Sequence, residues 1–331
     1  MRRTRRNLFI ITLLTLLIAT GCRGSQDGGN NGEGVHFERF EQVLFDTPAD
    51  QLPQRLADFR SAFPSPLLNI YPEQADFMAQ LRGFIADSVI ENIYRITQRR
   101  YNDLTWLQKE LEPALEKATK ANADISISHF ATFVSGFFDY SQRILVDPES
   151  QSVLVSIDQY AVGDMERYSF FGLPLYIVEL SDSIYMASDI MAEIARQYIA
   201  APDEKDVTML DRMIMEGKVL YFLDQVMPRK KDCLKIRYTD EQMEWCQKNE
   251  RMIWAYFIEH KLLYEKDFSR YHNFVDEAPK TNAFKDSAPR TTDYIGWQIV
   301  RHYMDNSKCT LKELFENSNS QAILQASKYK P

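Results

Sequence analysis

The sequence predicts a mainly α protein of the α+β class, a helical bundle with a small antiparallel sheet. Apolar residues recur at helical spacing over most of residues 35–123, as in the stripe of Leu52, Leu56, Phe59 and Phe63, and again from 181 onward. Stretches rich in β-forming residues are confined to 125–134 and 152–157, on either side of a polar turn that contains Asp147 and Pro148. At 331 residues with 45% hydrophobic content, the chain can bury a sizeable core in one or two domains.

The first 21 residues have the pattern of an export signal. Four arginines precede an apolar run over residues 8–18, which is shorter than the roughly 20 residues of a membrane-spanning helix. Residues 19–22 read Ala-Thr-Gly-Cys and resemble a bacterial lipobox. That resemblance implies cleavage after Gly21 and lipid attachment at Cys22, whereas an ordinary cleaved signal peptide with an incidental cysteine is the alternative. We therefore expect residues 1–21 to be a lipoprotein signal peptide.

Three further segments follow the predicted signal peptide. Residues 22–34 contain five glycines among polar residues, which is typical of a flexible tether with a mean reach on the order of 20 Å. An N-terminal helical region is expected over 35–123, and a region of sheet and helices over 124–331. The tether predicts a globular body held near a membrane without being embedded in it.

The charge of the chain bears on its partners. The formal charge of −8 becomes −12 once the four leader arginines are removed. Such a surface repels phosphate backbones, so nucleic acid is not an expected partner.

The cysteines give no support for a zinc ribbon or a disulfide framework. After Cys22 there remain Cys233, Cys246 and Cys309, an odd number with no Cys-x-x-Cys pair. One bridge with one free thiol stays open as an alternative in an oxidising compartment. Cys246 lies on an apolar helical stripe, where we expect it to pack as a small hydrophobic residue.

Two consecutive helical patterns over residues 181–227 carry the most informative polar residues. The first contains Glu193 and the second contains Glu216, next to a glycine at position 217. Gly217 lies within the apolar stripe, where glycine costs about 1 kcal/mol relative to alanine. We therefore expect a neighbouring backbone to approach closely at Gly217.

The strongest helix prediction covers residues 239–264. Thr239 and Gln242 have the spacing of a capping box at its start. Asn249 and Glu250 fall on its apolar face, where an unpaired polar group costs a few kcal/mol. We expect these two buried polar residues to meet arginine or tyrosine partners. A later helix is predicted over about 292–304.

Motifs for other chemistry are missing from the sequence. The five histidines have no helical metal-binding spacing, and there is no glycine-rich phosphate loop or Gly-x-Ser-x-Gly turn. Glu193 with Asp189, one helical turn apart, is the one candidate acid/base pair, although such pairs are usually solvated. The sequence therefore predicts no catalytic residue, no metal ligand and no cofactor.

The chain resembles the gliding motility lipoprotein GldB family. The residues that carry the resemblance include Glu-Gly-Lys-Val-Leu-Tyr-Phe-Leu-Asp at 216–224 and Ile-Gly-Trp-Gln-Ile-Val-Arg at 295–301. Further matching segments are 157–160, 238–242, 245–246, 249–250, 253–259 and 327–331. The resemblance implies an outer-membrane-associated lipoprotein required for surface gliding, acting beside the secretion machinery for adhesins. Relatives also occur in bacteria that do not glide.

A more distant resemblance is to zinc metallopeptidases that carry His-Glu-x-x-His on a helix, with a later acidic ligand. The corresponding segment here, residues 192–196, reads Ala-Glu-Ile-Ala-Arg, and Glu216 corresponds to the later ligand. Both histidines are replaced. The resemblance thus implies a zincin-like architecture without its metal site, in which Glu193, Arg196 and Glu216 mark a vestigial cleft.

These observations together favour a non-enzymatic lipoprotein of the cell envelope, associated with gliding motility or the linked secretion machinery. Its expected partners are envelope proteins, with the membrane contacted through the lipid anchor. One alternative is a divergent hydrolase acting on peptides or peptidoglycan. The other is a peptide-binding module derived from a metallopeptidase fold.

Overall fold

The computed structural model describes residues 34–136, 143–161, 163, 172–202 and 206–331. The predicted signal peptide, Cys22 and the tether up to residue 33 lie outside the described residues. Within the described part, no helix is long and apolar enough to cross a membrane. The described residues divide into two compact units, the first within Met1–Glu112 and Ile127–Leu173, the second within Pro113–Ser126 and Pro174–Pro331.

Helices and a sheet make up the first unit. Its helices in chain order are α1 (Phe40–Phe45), α2 (Leu52–Ala62), α3 (Ala75–Ile85), α4 (Ser88–Arg100) and the start of α5 (Thr105–Ala121). The α2 stripe of Leu52, Leu56, Phe59 and Phe63 is buried, as its helical spacing indicates. These side chains join residues of α1, α3 and the sheet in one hydrophobic core.

The sheet is mixed, so the prediction of an antiparallel sheet was wrong in part. Its strands are β1 (Phe37–Arg39), β2 (His129–Phe133), β3 (Ile144–Asp147) and β4 (Ser152–Ser156), in the spatial order β1-β2-β4-β3. The two predicted strands, β2 and β4, are parallel neighbours, because β3 forms the antiparallel hairpin with β4. β1 pairs parallel with β2 and has only three residues, too few to show an alternating pattern.

A buried carboxylate closes the carboxyl end of β4. Asp158 lies in a short 3₁₀ turn, Ile157–Tyr160, and is fully buried. It accepts hydrogen bonds from the amide nitrogens of Ser135 and Gly136, both at 3.1 Å, and from the hydroxyl of Ser156 at 2.8 Å. Burial raises the pKa of Asp158. The 157–160 segment, one of those that carry the resemblance, therefore has a structural role in this unit.

The second unit is helical within the described residues. Its helices are α6 (Leu175–Glu179), α7 (Met186–Tyr198), α8 (Met209–Val226), α9 (Asp232–Lys235), α10 (Asp240–Glu259), α11 (His272–Val275), α12 (Thr291–Asn306), α13 (Leu311–Glu316) and α14 (Ser320–Ser327). The capping box predicted for α10 is present, with Thr239 and Gln242 exchanging hydrogen bonds. This helix ends at Glu259 and not at residue 264, since Lys261 adopts a left-handed φ of 55°.

Helix α8 is the central element of the second unit. It packs against α7, α12, α13 and α14 and is buried on nearly every side, which is typical of a core helix. The expected close approach at Gly217 is confirmed. A Cβ at this position would overlap the backbone of Gly296 in α12, and a Cβ at Gly296 would overlap the carbonyl of Met213. Two glycines thus allow α8 and α12 to cross in backbone contact.

Candidate functional site

The three residues predicted to mark a vestigial cleft lie together in the second unit. Arg196 of α7 donates from Nη2 to Oε2 of Glu216 on α8 at 2.6 Å. Its Nη1 lies 3.4 Å from Oε1 of Glu193, one turn earlier on α7. The side chains of Glu193, Arg196 and Glu216 keep 38%, 30% and 28% of their exposure, so the group is reached by solvent from one side.

Helix α7 orients this group because its other face is apolar. Met186, Ile190, Met191 and Ile194 are fully buried. Residues three apart on a helix share a face, so Glu193 and Arg196 point to the same side. On α8, a capping box between Thr208 and Asp211 fixes the start of the helix.

A second charged group lies at the start of α12, where Arg290 has a left-handed φ of 40°. Its Nη1 contacts Oδ2 of Asp293 at 3.0 Å, and its Nη2 donates to the carbonyl of Ile236 at 2.7 Å. Its Nε lies 3.3 Å from a carboxylate oxygen of Glu277. We refer to the two groups together, Glu193, Arg196, Glu216, Glu277, Arg290 and Asp293, as the acid–arginine cluster.

Burial and neighbouring charges shift several pKa values in this cluster. Burial, with the added repulsion of Glu216, raises the pKa of Asp293 to about 7 against the pull of Arg290. Burial also raises the pKa of Glu193, with Glu216 adding to the rise and Arg196 opposing it. For Arg196, burial acts to lower the pKa, but the carboxylates of Glu216 and Glu193 bring it above its ordinary value. The two groups therefore interact electrostatically.

The donor set of this cluster does not fit a zinc ion. Catalytic zinc is held by three ligands, usually histidine, cysteine or carboxylate, and keeps one open position. Here Ala192 supplies no ligand, and the guanidinium of Arg196 engages Glu216. In the described part of the chain, no three histidine, cysteine or acidic residues are placed to hold a metal ion. The cluster instead holds two arginines and four carboxylates in ion pairs with one another.

Asn249 and Glu250 are half-buried and lie outside the cluster. Glu250 accepts hydrogen bonds from the hydroxyls of Tyr294 at 3.0 Å and Tyr329 at 2.7 Å, which are partners of an expected kind. Asn249 instead donates to the carbonyl of Trp245 in its own helix, at 2.8 Å. Glu250 therefore fastens the C-terminal segment to α10 and α12.

A third charged network explains several residues of the family-like segments. Asp224 accepts hydrogen bonds from Nζ of Lys235 at 2.7 Å, Nε1 of Trp297 at 2.9 Å and Nε of Arg301 at 2.8 Å. Asp232 also accepts hydrogen bonds from Lys235 and Arg301. The guanidinium of Arg301 stacks over the Trp297 ring at 3.8 Å from its centroid. This network joins α8, α9 and α12 and has the features of a structural clamp.

The three cysteines that follow the tether are unpaired in the structure. Cys246 is fully buried, in agreement with its expected role as a small hydrophobic residue.

Lys218, the neighbour of Gly217 on α8, supplies a pH-dependent prediction. Its side chain is buried, its Nζ donates to the carbonyl of Asn317 at 2.6 Å, and burial lowers its pKa from 10.5 to about 8. Between these pH values the unfolded chain binds more protons than the folded chain, so stability rises with pH. Relative to Lys218→Met, the wild type should gain about 2 to 3 kcal/mol across this window.

This gain is measured by urea unfolding of both proteins at intervals from pH 7 to pH 10.5. A stability difference that stays constant with pH would show that the ammonium group is not penalised by burial in the folded state.

The sequence did not point to Arg290, Asp293 or Glu277. An acidic residue in the first turn of a helix, such as Asp293, is an ordinary stabilising feature, and residues 268–290 are polar and irregular. The one sequence signal for this site is the pair of helical patterns that carry Glu193 and Glu216. Its partners come from a segment about 70 residues later, which no local pattern connects to it.

The fold and the site define a mainly helical protein with a small mixed sheet and an ion-paired charged centre. The family described as gliding motility protein GldB matches residues 24–331, nearly the whole chain. The chain therefore belongs to the GldB family of gliding motility proteins, and the predicted resemblance is confirmed. Membership associates the chain with gliding motility and with the cell envelope.

Two other comparisons, with curated proteins and with solved structures, found no match. The zincin-like architecture is therefore not confirmed and stays a prediction. The family match begins two residues after Cys22, so it does not include the predicted lipidation site.

Proposed function

We propose that this GldB family member is a lipid-anchored protein of the outer membrane that faces the periplasm and acts without catalysis. In this proposal it binds protein partners belonging to the gliding machinery or to the secretion machinery linked with it. Family membership supports the association with gliding. The glycine-rich tether after Cys22 supports a globular body held beside a membrane.

The observation that carries the non-enzymatic part is the ion pair between Arg196 and Glu216, with 2.6 Å between Nη2 and Oε2. In the zinc metallopeptidases of the more distant resemblance, a histidine would stand at the position of Arg196 and bind zinc. A guanidinium is charged at every physiological pH and repels a divalent cation. It also occupies the carboxylate of Glu216 that would serve as the later ligand.

The Glu193→Gln variant tests this proposal in a gliding host that lacks its own copy. Glu193 corresponds to the general base of the peptidases, and glutamine keeps its size. We expect wild-type gliding and wild-type protein levels, because among the described residues the Glu193 side chain has one hydrogen-bond or ion-pair partner, Arg196, at 3.4 Å. An enzyme that used Glu193 as its base would lose roughly 10²- to 10⁴-fold in rate.

Glu244→Gln is the matched control, since Glu244 is an exposed residue on α10, paired with Lys248. Cells that stop gliding with Glu193→Gln at normal protein level, while the control strain glides, would contradict the proposal.

The Cys22→Ala variant tests the anchor. The lipid is attached to the thiol of Cys22, and two or more acyl chains are needed for stable membrane binding. We expect the variant to leave the outer-membrane fraction, whereas Cys309→Ala should remain there. A Cys22→Ala protein that still partitions fully with the outer membrane would remove the basis for lipid anchoring.

A further inference from the structure

A polar groove of about 580 Å³ lies on the surface of the first unit, whereas the acid–arginine cluster belongs to the second unit. We call it the arginine groove. Its lining consists of Asp46, which follows the last residue of α1, and of five residues of α4, namely Asn92, Tyr94, Arg95, Gln98 and Arg99.

Hydrogen-bond donors line one side of the arginine groove. Asn92, Arg95 and Arg99 recur at three- and four-residue spacing, so they form one stripe along α4. Among the described residues, the side chains of Asn92 and Arg99 have no hydrogen-bond or ion-pair partner, and the side chain of Arg95 pairs only with Glu91. The two side chains of that pair are 68% and 48% exposed. Exposed pairs of this kind contribute little and are readily exchanged.

The other side of the groove is formed by a fixed acceptor. The hydroxyl of Tyr94 donates to Oδ2 of Asp46 at 2.6 Å, and the Tyr94 ring stacks on Phe45 at 4.5 Å between centroids. Gln98 is held in place by the amide of Gln42, at 2.8 Å. The groove therefore combines one carboxylate, held in place by Tyr94, with the donor side chains of two arginines and one asparagine.

This combination selects among anionic ligands. The whole chain has a formal charge of −8, so a long polyanion is repelled by the rest of the surface and by Asp46. A suitable ligand has a few carboxylates to pair with Arg95 and Arg99, and N–H groups that donate hydrogen bonds to Asp46. A peptide backbone supplies such N–H groups.

The spacing of the two arginines favours an extended peptide. Residues four apart on a helix are separated by about 6 Å along its axis. In an extended chain, side chains two residues apart are on the same side and about 6.6 Å apart. We propose that the arginine groove binds an extended acidic peptide segment of a protein partner, with carboxylates at alternate positions on Arg95 and Arg99.

Fluorescence polarisation with purified mature protein tests this inference. The probe is a labelled peptide of about ten residues with two aspartates, two positions apart near its centre, and its counterpart has asparagine at those two positions. We expect the aspartate peptide to bind, the asparagine peptide to bind at least tenfold more weakly, and the affinity to fall as salt is raised. Arg95→Gln with Arg99→Gln should also weaken binding at least tenfold.

Arg82→Gln is the control for Arg99→Gln alone, because Arg82 is an exposed arginine on α3 outside the groove lining and each of these two single changes removes one positive charge. Equal weakening by Arg82→Gln and Arg99→Gln would overturn the proposal, as would no binding of the aspartate peptide. Displacement by inorganic pyrophosphate as effective as by unlabelled peptide would also overturn it, since it indicates a general anion site. Thermal unfolding by circular dichroism checks that each variant is folded.

The peptide experiment uses isolated protein and does not depend on gliding or on metal content. It therefore fails or succeeds separately from the proposed envelope function.

Discussion

Replacing Gly296 with alanine is expected to destabilise the second unit by about 3 kcal/mol. A Cβ at Gly296 would overlap the carbonyl oxygen and carbon of Met213, and the backbone cannot rotate away as a side chain can. Either α8 and α12 separate, which opens the core around Gly217, or the helices distort. Helix propensity alone would make alanine stabilising by about 1 kcal/mol, whereas the overlap with the Met213 backbone makes it destabilising. The sign of the measured change in the free energy of unfolding therefore shows which of the two dominates.

Urea unfolding followed by tryptophan fluorescence measures this loss, because Trp297 is buried one residue from the crossing. Gly83→Ala is the matched control. Gly83 lies within α3, and a Cβ there would meet no atom within 4 Å. We expect this control, followed by circular dichroism, to gain about 0.5 to 1 kcal/mol. A Gly296→Ala protein as stable as the wild type would show that α8 and α12 are not in backbone contact.

The second large effect is expected for Asp224→Asn, at about 3 kcal/mol of stability. The asparagine can still accept from Trp297, but it removes the charge opposite Lys235 and Arg301. The side chain of Lys235 is only 4% exposed, so its ammonium loses a partner where water cannot replace it. Asp232 contacts both cations and keeps the loss at the lower end of the range for buried pairs.

Two further variants define this effect. Glu244→Gln breaks an exposed pair with Lys248 and should change stability by less than about 0.5 kcal/mol. Lys235→Met combined with Asp224→Asn should cost less than the sum of the single changes, because it removes the unpaired cation. Additive losses would mean that Asp224 stabilises the fold by some means other than this ion pair.

The sequence predicted the features that depend on local patterns. The α2 stripe, the capping box at Thr239 and the role of Gly217 each follow from spacing within a few turns, and the structure confirms them. The direction of the strands could not be predicted in the same way. β2 and β4 are parallel neighbours because a third strand lies between them in sequence, and its four residues carry little periodic signal.

The candidate site shows the same division. The resemblance to zinc metallopeptidases predicts that Glu193, Arg196 and Glu216 lie together. In the structure, Arg196 is within hydrogen-bond or ion-pair distance of both glutamates. Arg290 and Asp293 join them through the crossing of α8 and α12, in which Gly296 is three residues from Asp293. That proximity arises from tertiary packing between distant segments. A single sequence contains no signal for it.

We propose that this GldB family member acts by binding envelope proteins and not by metal-dependent catalysis. The test is to cross-link the native protein in membranes, purify it, and analyse both its partners and its zinc content. We predict gliding or secretion components of the envelope, with zinc far below one equivalent. Near-equimolar zinc that is lost in Glu216→Gln, with no stable protein partner, would contradict the account and indicate a hydrolase.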